Sequence, residues 1–237
     1  MYRVEDVHWW YRALRSLIRT AWKTHAQTPS GRILDVGCGT GANPAMFNGE
    51  AVATGIDYSE AALDRCRQRG LTRLARADAG SLPFASDSFD GVLMMDVLYH
   101  RDVSNIAGAL AETERVLGPG GLLLANVPSY QWLYSSHDEA IHTGHRFTRS
   151  ELVSLLRSAG LEPIRATYWN TLLFPAIALL RLWRRGTVHE ASDLAGCTDD
   201  LSTRLLGGIL ALERVALRVG NLPFGLSIFA MARKPPG

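Results

Sequence analysis

The most constraining feature of this sequence is a glycine-rich turn that directly follows a short apolar run. The stretch ILDVGCGTGANP occupies residues 33–44. Residues 33–36 have the composition of a buried strand. Gly37, Gly39 and Gly41 let the backbone turn tightly and approach a ligand closely. A strand that enters such a turn and then a helix is typical of α/β domains that bind a nucleotide or nucleoside.

Strand and helix patterns alternate along most of the chain. The predicted strands are residues 33–36, 52–56, 71–77, 91–95, 122–127, 163–169 and 227–234. The predicted helices between them are residues 43–48, 60–69, 105–117 and a helix that starts at a Thr148–Glu151 capping box and ends at Gly160. This alternation predicts an α/β fold, a parallel sheet with helices on both faces.

Composition narrows the class of protein. The chain has 237 residues, 47% of them hydrophobic, and a net charge of +2. That length buries a sizeable core without cross-links, and the small charge argues against a nucleic-acid partner. Three cysteines without metal-type spacing suggest a reducing compartment. The N-terminus does not resemble a signal peptide, so we expect a cytoplasmic protein.

Carboxylates stand where two of the predicted strands end. Asp57 ends the second strand about 20 residues after the glycine turn, where a carboxylate can accept hydrogen bonds from both ribose hydroxyls. Asp78, followed by Ala79, ends the third strand and can accept from an adenine amino group. With Ala42 counted, the turn also satisfies the dinucleotide pattern G-x-G-x-x-A. The glycine turn therefore has three interpretations: a nucleoside site, a dinucleotide site, or a turn with a purely structural role.

Four motifs together resemble the class I S-adenosylmethionine-dependent methyltransferases. They are LDVGCGTG (34–41), GIDYSEAAL (55–63), ADAGSLPFASDSFDGVLMMDVLYH (77–100) and RVLGPGGLLLANVP (115–128). The resemblance covers roughly residues 32–160, and within this class the chain is similar to methyltransferase type 11 proteins. Glu5 to Tyr11 resembles the Glu-x-x-His-Trp-Trp-aromatic arm of a bacterial subgroup. The resemblance to the class I methyltransferases implies a Rossmann-like fold with a seven-stranded, mostly parallel sheet. Its last strand, residues 227–234, is antiparallel.

The resemblance also implies a cofactor and its site. S-adenosylmethionine would bind and leave as S-adenosylhomocysteine. The three glycines of the turn would contact its methionine part, Asp57 would hold the ribose, Tyr58 would stack near the adenine, and Asp96 would face the sulfonium. The full implied set is Asp35, Gly37, Cys38, Gly39, Gly41, Asp57, Tyr58, Asp78, Ala79 and Asp96. This cofactor has no pyrophosphate, so it needs no basic phosphate grip.

Methyl transfer to oxygen or nitrogen of a small molecule, such as a natural product or a lipid-like compound, is the implied activity. Two alternatives remain open: a nicotinamide-dependent oxidoreductase, based on Ala42, and a non-catalytic protein that keeps the fold and cofactor as a scaffold. The implied protein is a monomer or homodimer, with peripheral membrane contact as a minor alternative.

Candidate acceptor-side residues follow the fourth and fifth strands. His100 and His137 are candidates for a proton acceptor, because a base is needed only when the acceptor loses a proton. For His100 the competing interpretation is a structural hydrogen bond. Tyr99 and Tyr130 are candidate pocket walls. The polar stretch 135–148 fits a solvated loop or a substrate-side loop; its spacing matches no familiar metal motif, so we expect no metal.

We divide the chain into an N-terminal helical arm (1–30), a cofactor-binding core (31–170), a helical insert (171–221) and a last strand with a tail (222–237). In the arm, Trp9, Trp10 and Tyr11 are predicted to form a lid over the cofactor or to pack plainly on the core. The apolar run 172–180 is too short to span a bilayer. The insert is expected to be a cap, a dimer contact, an acceptor entrance or an interfacial helix flanked by Arg181, Arg184 and Arg185.

Overall fold

The computed structural model describes residues 5–183 and 200–236. It contains a seven-stranded sheet with the order β3-β2-β1-β4-β5-β7-β6. The strands are β1 (Arg32–Val36), β2 (Val52–Asp57), β3 (Leu74–Arg76), β4 (Phe89–Met95), β5 (Leu117–Pro128), β6 (Glu162–Trp169) and β7 (Ser227–Arg233). Strand β7 runs antiparallel to both neighbours, β5 and β6, and the remaining pairs are parallel. The predicted mostly parallel sheet with an antiparallel last strand is confirmed.

The order of the strands locates the functional end of the sheet. From β1 the chain proceeds outward to β2 and β3 and then returns to the other side of β1 with β4. In open α/β sheets, ligands bind at the carboxyl ends of the strands where the order reverses in this way. The glycine turn follows β1 and Asp96 follows β4, so both lie at this point.

Helices cover both faces of the sheet. They are α1 (Trp9–His25), α2 (Ala42–Ala45), α3 (Glu60–Gln68), α4 (Ile106–Val116), α5 (Ser136–Ala140), α6 (Arg149–Ser158), α7 (Phe174–Trp183) and α8 (Asp200–Val219). Leu110 of α4 and Leu156 of α6 belong to the core on one face. Ile18 of α1 and Leu210 of α8 belong to the core on the other face. The predicted arm and the predicted insert therefore share one apolar core, and the four-part division of the chain stays a prediction.

Local sequence signals set several helix ends as expected. The Ser59 side chain accepts a hydrogen bond from the Ala62 amide at the start of α3. Thr148 and Glu151 form the reciprocal capping box at the start of α6. Each cap satisfies an amide that would otherwise lack a partner at a helix N-terminus.

Several predicted boundaries differ from the structure; the predicted helix 43–48, for example, is α2 (Ala42–Ala45). Tertiary contacts explain two of the differences. Strand β3 starts at Leu74 rather than at Leu71, because Leu71 packs on Cys66 beside α3 instead of joining the sheet. Residues 118–121, predicted to be a loop after a helix, belong to β5, because Leu117 already pairs with Phe89 of β4. Both shifts arise from tertiary contacts.

The predicted helical insert contains α7 and α8. Residues 184–199 between them, with Arg184, Arg185 and Cys197, lie outside the described residues, as do residues 1–4 of the arm and residue 237. Several apolar side chains of the two helices are exposed: Leu179, Leu182, Trp183, Leu205, Leu212, Val215 and Val219. Over the described ranges, none of the helices combines the length and apolarity required to cross a bilayer.

Contact between the arm and the sheet can be tested at Gly91. A Cβ at this position of β4 would lie 2.2 Å from Cζ3 of Trp22, whose indole is fixed by a hydrogen bond to the Pro29 carbonyl. Gly91→Ala should lower the free energy of unfolding by about 1–3 kcal/mol, because the core is overpacked. Urea unfolding followed by circular dichroism measures the change.

The matched control is Gly208→Ala in α8, where the added Cβ meets nothing within 4 Å. That variant should be as stable as the parent protein or up to about 1 kcal/mol more stable, since alanine favours a helix. Equal stability of Gly91→Ala and the parent would contradict the packing of α1 on β4.

Candidate active site

The glycine turn after β1 has the backbone conformation that requires glycine. Gly37, Gly39 and Gly41 have φ angles of 67°, 54° and 85°. A Cβ at Gly37 would lie 2.5 Å from a methyl group of Val97, whereas a Cβ at Gly39 would meet no atom within 4 Å. The turn is therefore packed on its inner side at Gly37 and open at Gly39, where a ligand can reach the backbone.

Asp57 links the end of β2 to this turn. Its Oδ2 accepts a hydrogen bond from the Gly39 amide at 2.9 Å, and its Oδ1 accepts one from the Ser59 amide at 2.9 Å. The side chain is half-buried. Each carboxylate oxygen can accept more than one hydrogen bond, so Asp57 retains the capacity to hold two ribose hydroxyls.

The predicted adenine-side residues lie at the carboxyl ends of β2 and β3. Tyr58 is 67% exposed, and the Arg76 guanidinium lies 5.4 Å from the centre of its ring. Asp78 is exposed and accepts a hydrogen bond from the Gly80 amide at 2.7 Å, while Ala79 is half-buried. An exposed ring next to an exposed carboxylate leaves room for a flat base.

Cys38 lies behind the turn. Its Sγ is buried 3.7 Å from the Sγ of Cys66, and the Cys66 thiol donates to the Gly39 carbonyl at 3.2 Å. The hydrogen bond with Cys66, together with burial, raises the pKa of the Cys38 thiol far above its ordinary value. Cys38 therefore supports the shape of the turn through its side chain, and its predicted contact with the cofactor stays a prediction.

Asp35 has a buried carboxyl group that lacks a polar partner among the described residues. Its side chain is 1% exposed, and neither carboxylate oxygen has a hydrogen-bond partner among the described residues. Burial raises the pKa of Asp35 well above its ordinary value, and the neighbouring Cys66, Glu5 and Asp57 raise it further. Buried carboxylates without partners are costly. The amino group of S-adenosylmethionine, directly or through water, supplies a donor of the type this carboxylate lacks.

Asp96 ends β4 in a left-handed conformation with φ 61°. Its Oδ1 accepts a hydrogen bond from the Asn126 amide at 2.8 Å, and the Asn126 oxygen accepts one from the Trp169 indole at 2.7 Å. Burial raises the pKa of Asp96 to about 7, although the hydrogen bond from Asn126 acts in the opposite direction. This carboxyl group can therefore exchange a proton near neutral pH.

The N-terminal arm is attached to the glycine turn. Thr40 of the turn donates a hydrogen bond to the Glu5 carboxylate. Arg69, at the end of α3, donates to the Thr40 carbonyl at 2.8 Å and to Asp6 at 2.9 Å. These contacts place the start of the arm at the carboxyl ends of the strands.

The three aromatic rings of the arm have different surroundings. Trp9 is 2% exposed and belongs to the core. Trp10 stacks on Trp169 with ring centres 5.5 Å apart. Burial raises the pKa of Tyr11 to about 12, and the charge of Asp96 contributes to the shift. Trp9 is therefore a packing residue of the core, whereas Tyr11 lies near enough to Asp96 to feel its charge. The role of the three rings as a lid stays a prediction.

Tyr130 belongs to an aromatic cluster beyond β5 and β6. Its ring stacks on Tyr168 at 5.1 Å and meets Phe174 edge-on at 5.7 Å. Trp132 and Phe224 complete the cluster through their contacts with Phe174. Trp132 and Phe224 are 46% and 38% exposed, so an apolar surface reaches solvent here.

Backbone strain is concentrated at the same edge of the sheet. Asp96 after β4, Tyr130 after β5 and Asn170 after β6 are three of the non-glycine residues with positive φ. Such conformations cost about 1–3 kcal/mol each and cluster at functional sites.

The predicted acceptor-side residues after β4 lie in two settings. Burial raises the pKa of Tyr99 well above its ordinary value, and the charges of Asp96 and Tyr11 raise it further. His100 is half-buried, and its Nδ1 lies 3.3 Å from the Asp102 carboxylate. Tyr99 is therefore near Asp96, as a pocket wall would be, while His100 has the local partner that the structural interpretation requires.

The polar stretch 135–148 is organised around a buried ion pair. Asp138 is fully buried, and Arg146 donates to it at 2.5 Å. Arg146 also donates to the Ser129 carbonyl at 2.8 Å. His137 lies half-buried on α5 beside Asp138. Asp138 and Arg146 fix the loop, and the roles of His137 and His100 as bases stay predictions. The part of the chain that the structure describes contains no group of three or more His, Cys, Asp or Glu side chains that could hold a metal ion.

Several residues of the site were not singled out by the sequence. Asn126 and Trp169 stand on β5 and β6 and contact the site only because the sheet brings their ends together. Arg69 contacts Thr40 of the glycine turn, where it meets Glu5 of the arm motif. Asn126 was detectable in principle, since a polar residue interrupts an otherwise apolar strand; the others had no local signal.

The fold and this site define a nucleoside-cofactor domain of the class I methyltransferase type. Residues 34–125 match the family model of the methyltransferase domain. Over these residues the chain is similar to the methyltransferase domain, and S-adenosylmethionine is the cofactor of the class I enzymes that have this fold. These findings favour this interpretation over the nicotinamide alternative.

Relatives of known name support the assignment. Demethylmenaquinone methyltransferase of Tropheryma whipplei (strain Twist) is 39% identical over 127 residues, which are 51% of this chain and 48% of the relative. The 24-methylenesterol C-methyltransferase 2 of Oryza sativa subsp. japonica is 29% identical over 210 residues, 68% of this chain and 56% of the relative. The chain thus spans about half the length of these curated relatives.

Solved structures share the fold across nearly the whole chain. A Haloferax volcanii methyltransferase, solved in complex with the Trm112 activator, has a TM-score of 0.63 at 21% identity and covers 99% of this chain and 92% of its own. The [4+2]-cyclase SpnF has a TM-score of 0.61 at 24% identity, with coverage of 96% and 83%. A cyclase with this fold shows that the fold alone does not determine the reaction.

Asp57 can be tested as the cofactor anchor. Asp57→Ala should weaken S-adenosylmethionine binding at least tenfold, because charged hydrogen bonds to the ribose are worth about 1.5–3 kcal/mol each and the Gly39 amide loses its partner. Calorimetric titration measures the affinity. Asp64→Ala, an exposed carboxylate of α3 that pairs with Arg67, is the matched control and should bind normally. Unchanged affinity in Asp57→Ala would refute the assignment.

The raised pKa of Asp96 has a consequence for stability. Between about pH 4 and pH 7 the unfolded chain has released the Asp96 proton while the folded protein retains it, so this group makes the folded state less stable as pH rises. Asp96→Asn lacks the group. As pH rises across this range, the free energy of unfolding of Asp96→Asn should therefore increase relative to that of the parent by at least about 1 kcal/mol.

Urea unfolding of both proteins at several pH values measures this difference. Asp102→Asn is the control, because Asp102 is 85% exposed and its loss should leave the pH dependence nearly unchanged. A constant difference between Asp96→Asn and the parent from pH 4 to pH 8 would show that Asp96 titrates normally.

Proposed function

We propose that this protein transfers a methyl group from S-adenosylmethionine to an oxygen or nitrogen atom of a small, lipid-like acceptor. The single observation that carries the proposal is the placement of Asp96. It lies between the cofactor residues after β1 and β2 and the aromatic cluster after β5 and β6, and its pKa is raised to about 7.

The residues that would hold the cofactor come from three strand ends. Asp35 would receive the amino group, Gly39 would let the methionine part approach the turn, and Asp57 would hold the ribose. Tyr58 and Asp78 would border the adenine. When bound, the cofactor supplies a methyl group that is already activated by positive sulfur. The protein therefore needs to contribute mainly proximity, orientation and exclusion of water.

A hydroxyl or amine acceptor must lose a proton during the transfer. A carboxylate with a pKa near the working pH is a suited proton acceptor, and Asp96 meets that condition at Oδ2, which has no hydrogen bond to Asn126. Asn126 and Trp169 hold the other side of the carboxyl group in place. His100 and His137 remain candidate bases, and Tyr99 would bound the acceptor.

The lipid-like nature of the acceptor is supported by the aromatic cluster. Tyr130, Trp132, Phe174 and Phe224 form an apolar surface that is partly open to solvent. Aromatic side chains dominate the walls of pockets that take apolar ligands. The names of the two relatives described above refer to a quinone precursor and a sterol, and acceptors of that polarity fit this surface.

The remaining expectations about the protein's environment are part of this proposal. A small-molecule acceptor needs no nucleic-acid partner, and the chain would act in the cytoplasm as a monomer or homodimer. The exposed apolar side chains of α7 and α8 would permit brief contact with a membrane from which a lipid-like acceptor is drawn.

Formation of S-adenosylhomocysteine tests the proposal. The purified chain is incubated with S-adenosylmethionine labelled with carbon-13 in its methyl group and with quinols, hydroxylated sterols and long-chain amines, and with glycine as a polar acceptor. We expect S-adenosylhomocysteine with one or more apolar acceptors and none with glycine. The chemical shift of the labelled methyl group shows whether it is bound to oxygen or nitrogen.

Asp96→Asn is the informative variant, and Asp64→Asn, at an exposed carboxylate of α3, is its control. Asp96→Asn should lose most of kcat while binding the cofactor, whereas Asp64→Asn should keep full activity. Cofactor binding without any S-adenosylhomocysteine would favour the non-catalytic scaffold. A methyl group found on carbon would refute the proposed acceptor atom.

A further inference from the structure

A cavity lies outside the proposed methyl-transfer site, between α1, α8 and the outer strands of the sheet. Its volume is about 520 Å³, within the range of small-molecule sites in proteins. Its lining comes from the second half of α1, the second half of α8, and strands β6 and β7. Trp10 and Trp169, which belong to the active site, do not line it.

The distance from the active site follows from element geometry. Arg165 and Thr167 line the cavity and Trp169 contacts Asn126. The three stand on the same face of β6, because they are two positions apart from one to the next, and two to four residues of strand span about 7–13 Å. The cavity therefore lies beside the proposed methyl-transfer site on one face of the sheet, and neither Trp169 nor Asn126 lines it.

The floor of the cavity is apolar. Phe229 and Met231 of β7 form its base, Leu17 and Ala21 come from α1, and Leu217 comes from α8. Four of these side chains are at most 7% exposed, and Leu17 is half-buried. Such a surface favours a hydrocarbon chain over a polar ligand.

The rim of the cavity is basic. Arg165, Arg214 and Arg218 line it together with His25. Burial lowers the pKa of His25, and the positive charges of Arg233 and Arg165 lower it further. A concentration of positive charge strong enough to act on a neighbouring imidazole attracts an anion.

Among the described residues, the three arginines of the rim form no ion pair with a carboxylate. Arg165 donates to the Asn221 side-chain oxygen at 2.7 Å, and Arg214 donates to the Ser16 hydroxyl. These acceptors are neutral. In residues 5–183 and 200–236, no carboxylate forms an ion pair with any of the three. Glu213 is adjacent in sequence, but it is directed at the Thr171 amide, 2.9 Å away.

Other basic residues of α1 show the contrast. Arg19 and Lys23 stand on the opposite side of the helix, and both pair with Glu50. Arg19 and Lys23 thus have a carboxylate partner on the side of α1 that faces away from the cavity.

We propose that this cavity binds an anionic amphiphile with a single apolar chain. The carboxylate or phosphate head would lie among Arg165, Arg214 and Arg218. The chain would lie on Phe229, Met231 and Leu17. Occupancy would fill the space between α1 and α8 and stabilise the folded protein. The proposal does not depend on the reaction at Asp96.

Titration of the full chain with decanoate tests the proposal. Decyltrimethylammonium has the same chain with a positive head and is the matched ligand control. Calorimetry should show that decanoate binds at least tenfold more tightly than decyltrimethylammonium, and decanoate alone should raise Tm. Decyl phosphate in place of decanoate shows which anionic head is preferred, and inorganic phosphate alone should bind at least tenfold more weakly than either.

Variants locate the binding. The double variant Arg165→Met and Arg214→Met should weaken decanoate binding at least tenfold, because it removes two charged donors. Arg19→Met, on α1 outside the cavity and paired with Glu50, should bind as the parent does. Ala211→Phe places a large ring in the cavity and should abolish binding with the three arginines intact. This variant decides the matter if the double variant is unfolded by circular dichroism.

Three results would overturn the proposal. One is equal affinity for decanoate and decyltrimethylammonium. Another is unchanged decanoate binding in Ala211→Phe. The third is competition between decanoate and S-adenosylhomocysteine, which would place the ligand in the methyl-transfer site. Failure of the activity assay above leaves all three measurements intact, so the two proposals fail separately.

Discussion

The hydrogen bond between Asp96 and Asn126 is the interaction on which the rest of the site depends. It joins the carboxyl ends of β4 and β5, and through the Trp169 indole it extends to β6. The stacking of Trp10 on Trp169 then attaches the arm to the same chain of contacts. One buried polar network thereby positions the Asp96 carboxyl group and the first helix together. Such networks are worth more than isolated hydrogen bonds when every member is satisfied.

Much of the fold follows from short-range signals. Residues 91–95 of β4 and 122–125 of β5 are continuously apolar, as strands buried on both faces must be, and the caps at Ser59 and Thr148 mark helix starts. The positions of Gly39 and Asp57 at one edge of the sheet were also predictable, because Gly39 lies in the turn after β1 and Asp57 ends β2. Parallel strands bring their carboxyl ends to one edge, so residues that follow them meet without further information from the sequence.

The rest of the site depends on contacts between distant segments. Nothing near Glu5 indicates that it meets Thr40, and nothing near Trp169 indicates that its indole reaches Asn126. Burial has the same property: Trp9 and Trp10 are adjacent and chemically identical, yet Trp9 lies in the core and Trp10 lies on Trp169. Propensity and spacing describe neighbours along the chain, whereas these roles are assigned by packing.

The attachment of the arm to the glycine turn has a thermodynamic consequence. Thr40 contacts both Glu5 and Arg69, so the docked arm favours one conformation of the turn. A ligand that selects this same conformation must favour the docked arm by an equal free energy, since coupling between two sites is reciprocal. For such a ligand, Glu5 contributes to how tightly the nucleoside end is held, although it is far from that end in sequence.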